Sequence, residues 1–389
     1  MGNKAEFLVF SDDWGGHPSS CQHIFRHIAK EHRVIWVNTI GMRNPTATVA
    51  DLRKAFCKSA DMLRRIKASD QMQSDNSEGS VTVCRPVMLP GVRARVIRRF
   101  NSRSVKKTIC RTMNVLNVHK PIIVATVPNA VEYLERFADC KVVYYCVDDF
   151  SLWPGVESAL VREMETRLIA RADLIIAASS ALQQRFEEVR KPASLLTHGV
   201  DVEMFSVPAG RELESLRDIR CPRVGFYGLV DGRMDWELLV NLARRMPSIS
   251  FVFAGPLDAS VGTPPIVNNI HFIGAIAYEK LPEFILGMSV LILPYKRNEL
   301  GKVLSPLKIK EYLSTSKPVV CTPIAATVEW EGVVALGSTA VEWERLIRQF
   351  LEGGQIARDG LIMDRFIGQS WSDKAQEFLR LCVATSGES

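Results

Sequence analysis

Nowhere in the 389 residues do about 18 to 20 apolar side chains follow one another, so a membrane-spanning helix is excluded and any bilayer contact has to be peripheral. The cysteines carry no pattern: nine are scattered with no CxxC pair and no regular spacing, which argues against both a zinc site and a disulfide framework and fits a reducing compartment. Met1 to Phe10 lead straight into a strand, without the basic flank, apolar stretch and small-residue cleavage site of an export signal, so a cytoplasmic location is expected. A GxGxxG fingerprint is missing too, which speaks against a dinucleotide-dependent oxidoreductase. No low-complexity tract or internal repeat occurs, and with 47% hydrophobic and 24% charged residues the composition is that of a packed protein.

What is present is length enough for two α/β domains and a lopsided charge. Residues 1–200 carry 29 Lys and Arg against 20 Asp and Glu, whereas residues 201–389 carry 20 against 23. Between Arg85 and Arg111 nine bases occur with no acid: Arg85, Arg93, Arg95, Arg98, Arg99, Arg103, Lys106, Lys107 and Arg111. Val92, Val96, Phe100 and Ile109 are interleaved with them, the pattern of a basic amphipathic segment lying on anionic lipid. No stacking-aromatic motif accompanies the charge, so nucleic acid is not an expected partner.

Along the chain, strand and helix alternate. Phe7 to Phe10 predicts a strand, Ser19 or Ser20 to about Glu31 an amphipathic helix, and Val34 to Val37 a second strand. Strands are expected again at Ile122 to Thr126, Val142 to Val147 and Leu174 to Ala178. Apolar density falls between Phe205 and Pro222, which predicts a linker. Beyond it the alternation restarts, with strands at Val224 to Tyr227, Phe251 to Ala254, Ile270 to Ile273, Val290 to Leu293 and Val319 to Cys321. These boundaries give domains over residues 1–205 and 206–370, and a last helical segment over 371–389 that packs back on the first domain.

In open parallel sheets ligands bind beyond the carboxyl ends of strands, so the loops that follow strands carry the interest. After Leu291-Ile-Leu-Pro-Tyr295 comes Ser305-Pro-Leu-Lys-Ile-Lys-Glu-Tyr312, where Ser305 suits an N-cap and Pro306 a first helical position. Lys308 then falls in the first turn, where the helix dipole disfavours a cation unless an anion is bound, and a diphosphate is an anion of the right kind. Glu311 shares a face with Lys308 and is able to accept ribose hydroxyls; an exposed i,i+3 pair is the plainer alternative. In the first half, Asp148 and Asp149 close a strand, either as a general base or as a turn or helix cap. The loop Ser11-Asp-Asp-Trp-Gly-Gly-His-Pro-Ser-Ser20 offers Trp14 and His17 as acceptor contacts, with His17 a further candidate base.

The run from Val290 to Val320 resembles the donor-binding segment of bacterial GT-B glycosyltransferases, both the large family-4 group and the xanthan-type glucuronosyltransferase of exopolysaccharide assembly. Arg171-Ala-Asp-Leu-Ile-Ile-Ala-Ala-Ser179, His198-Gly-Val-Asp201 with Phe205, Phe226-Tyr-Gly228 and Phe253-Ala-Gly-Pro256 extend the resemblance over nearly the whole chain. It implies two Rossmann-like domains facing across a cleft, and a nucleoside-diphosphate sugar, most naturally UDP-linked, bound by Gly228, Arg233, Tyr295, Ser305, Lys308 and Glu311. The family-4 pair of glutamates is incomplete here, since Val303 stands where the first would be, and Arg233 is the nearest cation to the usual phosphate-binding position. The resemblance also selects Asp148 ahead of Asp149 as the catalytic acid-base residue. It further implies a saccharide or polyprenyl-linked acceptor, work beside other polysaccharide-assembly proteins at the inner membrane face, no cofactor and no essential metal, because Lys, Arg and a helix N-terminus meet the leaving diphosphate. A nucleotide-sugar 2-epimerase and a non-catalytic sugar-nucleotide or lipid-binding protein are the competing readings.

Overall fold

A computed structural model describes residues 4–16, 19–39, 73–75, 81–89, 94–153, 155–206, 210–258, 261, 266–315, 317–354 and 366–384. The chain forms two compact units, one of residues 1–197 with 374–389 and the other of residues 198–373.

In the first unit the strands are β1 (Glu6–Ser11), β2 (Arg33–Asn38), β3 (Gln73–Asp75), β4 (Val81–Cys84), β5 (Ile122–Ala125), β6 (Val142–Cys146), β7 (Leu174–Ala177) and β8 (Ser194–Leu195). They make one sheet in the order β3-β4-β2-β1-β5-β6-β7-β8, parallel throughout except for the β3–β4 pair. Phe7, Leu8, Val9 and Phe10 are all fully buried, as are Val142 to Cys146. Such unbroken apolar runs are what a parallel sheet covered on both faces demands. Among the described residues its α-helices are α1 (Ser20–Ile28), α2 (Arg95–Leu116), α3 (Ser158–Arg171) and α4 (Ser180–Glu188). Ser19 caps α1 by accepting the Gln22 N–H, and Ser179 caps α4 in the same way.

The second unit holds α5 (Val202–Ser206), β9 (Arg223–Tyr227), α6 (Trp236–Arg245), β10 (Ser250–Ala254), β11 (Ile270–Gly274), α7 (Leu281–Leu286) and β12 (Val290–Leu293). Then follow α8 (Glu299–Val303), α9 (Lys308–Leu313), β13 (Val319–Cys321), α10 (Ala325–Val328), β14 (Ala335–Leu336) and α11 (Ala340–Leu351). Its sheet is wholly parallel, in the order β11-β10-β9-β12-β13-β14. Phe226, Phe251, Leu291, Tyr312 and Trp343 anchor its core.

A last helix, α12 (Trp371–Ala384), begins in the second unit and belongs to the first from Lys374 onward. There Phe378 is completely buried and meets Phe25 and Tyr145 edge-on, each at a ring distance of 5.6 Å. The division between units falls after Thr197, ahead of the boundary at 205 read from composition. The reason is local bonding: His198 Nε2 lies 3.0 Å from the Ser305 carbonyl, Lys310 Nζ donates to the His198 carbonyl, and the Val200 N–H donates to the Gln369 carbonyl at 2.8 Å.

Both sheets have a switch point where successive connections run to opposite sides, between β1 and β5 in the first unit and between β9 and β12 in the second. At such a switch point the loops at the strands' carboxyl ends diverge and leave a crevice.

Candidate functional site

At the second unit's switch point the loop after β9 begins at Gly228, whose φ is +124° and whose N–H donates to the Ala254 carbonyl at 2.8 Å. A Cβ there would sit 1.9 Å from Lys308 Cε and 2.5 Å from Nζ, so the Lys308 side chain runs directly over a backbone that only glycine leaves open. Its ammonium stands 5.7 Å above the Phe226 ring centroid, within cation–π range. Lys308 is half-buried, and among the described residues its Nζ makes no hydrogen bond or ion pair. One turn further along α9, Glu311 is 3% exposed and accepts the Tyr227 hydroxyl at 2.8 Å, with the Tyr278 hydroxyl at 3.4 Å. Burial pushes its carboxyl up, opposed by the Tyr227 hydrogen bond and the Lys308 charge. Burial likewise pushes the Tyr227 phenol well up, which keeps it a hydrogen-bond donor.

The structure brings Gly228, Lys308 and Glu311 together but engages the other expected donor contacts differently. Arg233 Nε donates to both oxygens of the buried Asp231 at 2.9 Å, and the guanidinium carbon lies 5.9 Å from the Tyr295 ring centroid. Tyr295 itself is buried, edge-on to Phe226 at 6.3 Å. Ser305 does not cap a helix: α9 starts at Lys308 rather than Pro306, and no side chain caps it. A turn at Pro306, closed by the Ile309 N–H at 3.2 Å, replaces the expected first helical turn, and Ser305 instead presents its carbonyl to His198. Tyr227, Tyr278 and Asp231 enter the site only through the structure; in sequence Tyr227 is simply the middle residue of the Phe226-Tyr-Gly228 motif.

In the first unit the acidic pair after β6 divides its labour. Asp149, 6% exposed, accepts the Ser151 N–H at 3.0 Å and the Ser151 hydroxyl at 2.6 Å, and faces Arg185 Nη1 at 3.4 Å. It is therefore a cap on the single 3₁₀ turn Phe150–Leu152. Asp148 is half-buried, with Oδ1 accepting the Asp149 N–H at 2.8 Å. His17 lies outside the described residues. Trp14, expected to face an acceptor, is 7% exposed and packs on Trp36 at 4.7 Å, so it is a core ring. Its loop is clamped by the fully buried Gln22, whose amide donates to Asp12 Oδ2 and the Asp13 carbonyl and accepts the Gly15 N–H.

From Arg95 onward the basic segment is one continuous helix, α2, while Arg85 lies just after β4 and outside it. Arg93 lies outside the described residues. Arg95, Arg99, Arg103 and Lys107 are exposed, alongside Val96 and Phe100 at 77% and 42% exposure. Arg98 is half-buried, and Lys106 turns to Glu135 at 2.9 Å, an acid from outside the segment. Ile109 points into the core and is no part of the surface face. No described helix is long and apolar enough to cross a membrane.

No protein-family model matches the chain. Over 208 residues it is 26% identical to TuaH of Bacillus subtilis (strain 168), which bears the name of a glycosyltransferase of teichuronic acid biosynthesis. That match takes in 48% of this chain, and the chain spans about half of TuaH, 51% of its length. Among solved structures, Anabaena HepE in complex with UDP and glucose superposes with a TM-score of 0.67 at 16% identity, over 98% of this chain and 100% of that one. Sucrose-phosphate synthase from Thermosynechococcus elongatus gives a TM-score of 0.71 at 14% identity, over 99% and 100% of the two chains. At these identities the likeness speaks for the fold, and the fold, two Rossmann-type parallel sheets in one chain, is that of the GT-B glycosyltransferases.

Proposed function

We propose that the protein transfers a hexose from a UDP-sugar to a saccharide or polyprenyl-linked acceptor in cell-surface polysaccharide synthesis. The observation that carries this reading is the Lys308 ammonium, laid over Gly228 at the β9/β12 switch point with no acceptor among the described residues. A half-buried ammonium with no hydrogen-bond acceptor among the described residues suits an anionic ligand, and at a switch point the ligand to expect is a nucleotide. The UDP held by HepE and the teichuronic acid context of TuaH support the choice of donor and of pathway class.

In this reading the second unit binds the donor. Lys308 offsets the charge that develops on the departing UDP, so no metal ion is required for it to leave. Glu311 is held by Tyr227 and Tyr278 beside Lys308, where it faces the nucleoside end of the donor. Asp148 in the first unit serves the acceptor. It takes the hydroxyl proton if the transfer inverts the anomeric centre and orients the hydroxyl if configuration is retained. The face of α2 formed by Arg95, Arg99, Arg103, Lys107, Val96 and Phe100 lies on an anionic membrane surface, where lipid-linked acceptors reside.

Thermal unfolding in fixed concentrations of UDP, GDP, ADP and CMP tests the donor assignment. UDP raises the melting temperature of the wild type in the presence of EDTA, and Lys308→Ala loses that shift. No shift with any nucleotide removes the donor site from α9. Release of UDP that requires added acceptor separates transfer from epimerisation, and UDP binding without transfer to any acceptor favours the binding-protein reading.

A further inference from the structure

We propose that Arg185 is a positioning residue for Asp148, holding the loop after β6 through Asp149 so that the Asp148 carboxylate is kept in place. This rests on the assignment of Asp148 to the acceptor.

Arg185 projects from α4 between two buried carboxylates. Nη2 donates to Glu165 Oε2 at 3.1 Å, and Nη1, itself wholly buried, sits 3.4 Å from Asp149 Oδ2 without forming a hydrogen bond. Glu165, on α3, is 5% exposed, and its other oxygen accepts the Tyr144 hydroxyl of β6 at 2.7 Å. The guanidinium therefore joins α3, α4 and β6 to the loop that carries both aspartates. Burial alone would lower the Arg185 pKa, yet Glu165 and Asp149 together hold it above its ordinary value, so the cation is secure at any working pH.

Asp149 transmits that hold. Its Oδ2 faces Arg185, its Oδ1 takes both the N–H and the hydroxyl of Ser151, and its own N–H donates to Asp148 Oδ1 at 2.8 Å. Ser151 is braced in turn by the Ser158 hydroxyl at 2.5 Å on its carbonyl and by Arg162 Nε at 3.4 Å. Without Arg185, two buried carboxylates, Glu165 and Asp149, lose the cation between them and Asp149 has reason to leave its cap. The Asp148 hydrogen bond then loosens, while the Cys146 thiol, whose pKa burial raises, stays neutral and adds no further negative charge.

The test uses the full chain with Arg185→Met, Arg185→Lys, Ser151→Ala and Asp148→Asn, each first checked for an unaltered UDP-induced thermal shift. Arg185→Met is expected to lower kcat at least tenfold with KM for the UDP-sugar unchanged. Arg185→Lys recovers part of the lost kcat, Ser151→Ala gives a smaller loss of the same kind, and in an Asp148→Asn background Arg185→Met lowers kcat no further. Should Arg185→Met fail to fold, the kcat and KM of Arg185→Lys and Ser151→Ala carry the test. An unchanged kcat in the folded variants, or a loss that adds in full to that of Asp148→Asn, overturns the proposal. Full activity in Asp148→Asn instead overturns the underlying assignment of Asp148, a result independent of what Arg185→Met does.

Discussion

Lys308 and Gly228 are 80 positions apart in the chain and in contact in the fold, and neither has its meaning without the other. An added methyl at 228 meets both a strained φ and the lysine side chain, so Gly228→Ala is expected to displace Lys308 and destabilise the protein by roughly 1–3 kcal/mol, the usual range for a strained backbone position. Denaturation midpoints and the UDP-induced shift together check this: a variant with wild-type stability and a normal shift contradicts the packing described. Glu311 gives a pH signature. Its folded pKa is raised above the ordinary 4.5, so the folded state holds the proton longer than the unfolded chain does. Its contribution is therefore best while protonated and declines as pH rises from about 4.5 through the folded value. Glu311→Gln should flatten that decline, read as urea midpoints below pH 4.5 and near neutrality; a variant that loses stability more steeply with rising pH has the wrong sign.

At the scale of elements, the long strands were legible because a parallel sheet covered on both faces needs unbroken apolar runs, and Phe7 to Phe10, Val142 to Cys146 and Val290 to Leu293 are such runs. Helix α6 carries a local signal of the same kind, Asp235, which caps it by accepting the Leu238 N–H. Less legible were elements whose register depends on distant partners. Helix α2 shows why: its inner face mixes Val105 and Ile109 with Asn101, which is buried because its amide pairs with both the N–H and the carbonyl of Leu89. A buried asparagine blurs the apolar period, so Ile109 and the outward Val96 looked alike in sequence. Likewise, nothing local to Asp149 says that Arg185 will face it, and nothing local to Arg233 says that Asp231 will take its Nε. The exposed face of α2 carries its own test. Each base near an anionic surface contributes about 1 kcal/mol, so reversing three charges in Arg99→Glu, Arg103→Glu and Lys107→Glu should weaken binding to phosphatidylserine-containing vesicles by at least on the order of a hundredfold. Undiminished binding by the triple variant removes this face from the membrane.

For the molecule as a whole, the two units have separate sheets and separate tasks in the proposed reaction. Hydrogen exchange should show this directly: UDP is expected to slow amide exchange in the loops after β9 and β12 and at the start of α9, and to leave the loops after β1, β5 and β6 unchanged. Protection confined to the first unit would place the nucleotide on the wrong sheet. The seating of Phe378 against Phe25 and Tyr145 has a further consequence, for assembly rather than for chemistry. Phe378→Ala should cost roughly 3–5 kcal/mol, as for other buried aromatic rings cut to alanine, and calorimetry should assign that loss to the first unit. On the ribosome the strands of that unit emerge first, yet the ring that completes their core is translated only after the whole second unit has been made. The earlier part of the chain thus waits, with a gap in its interior, for the later part to be spelled out.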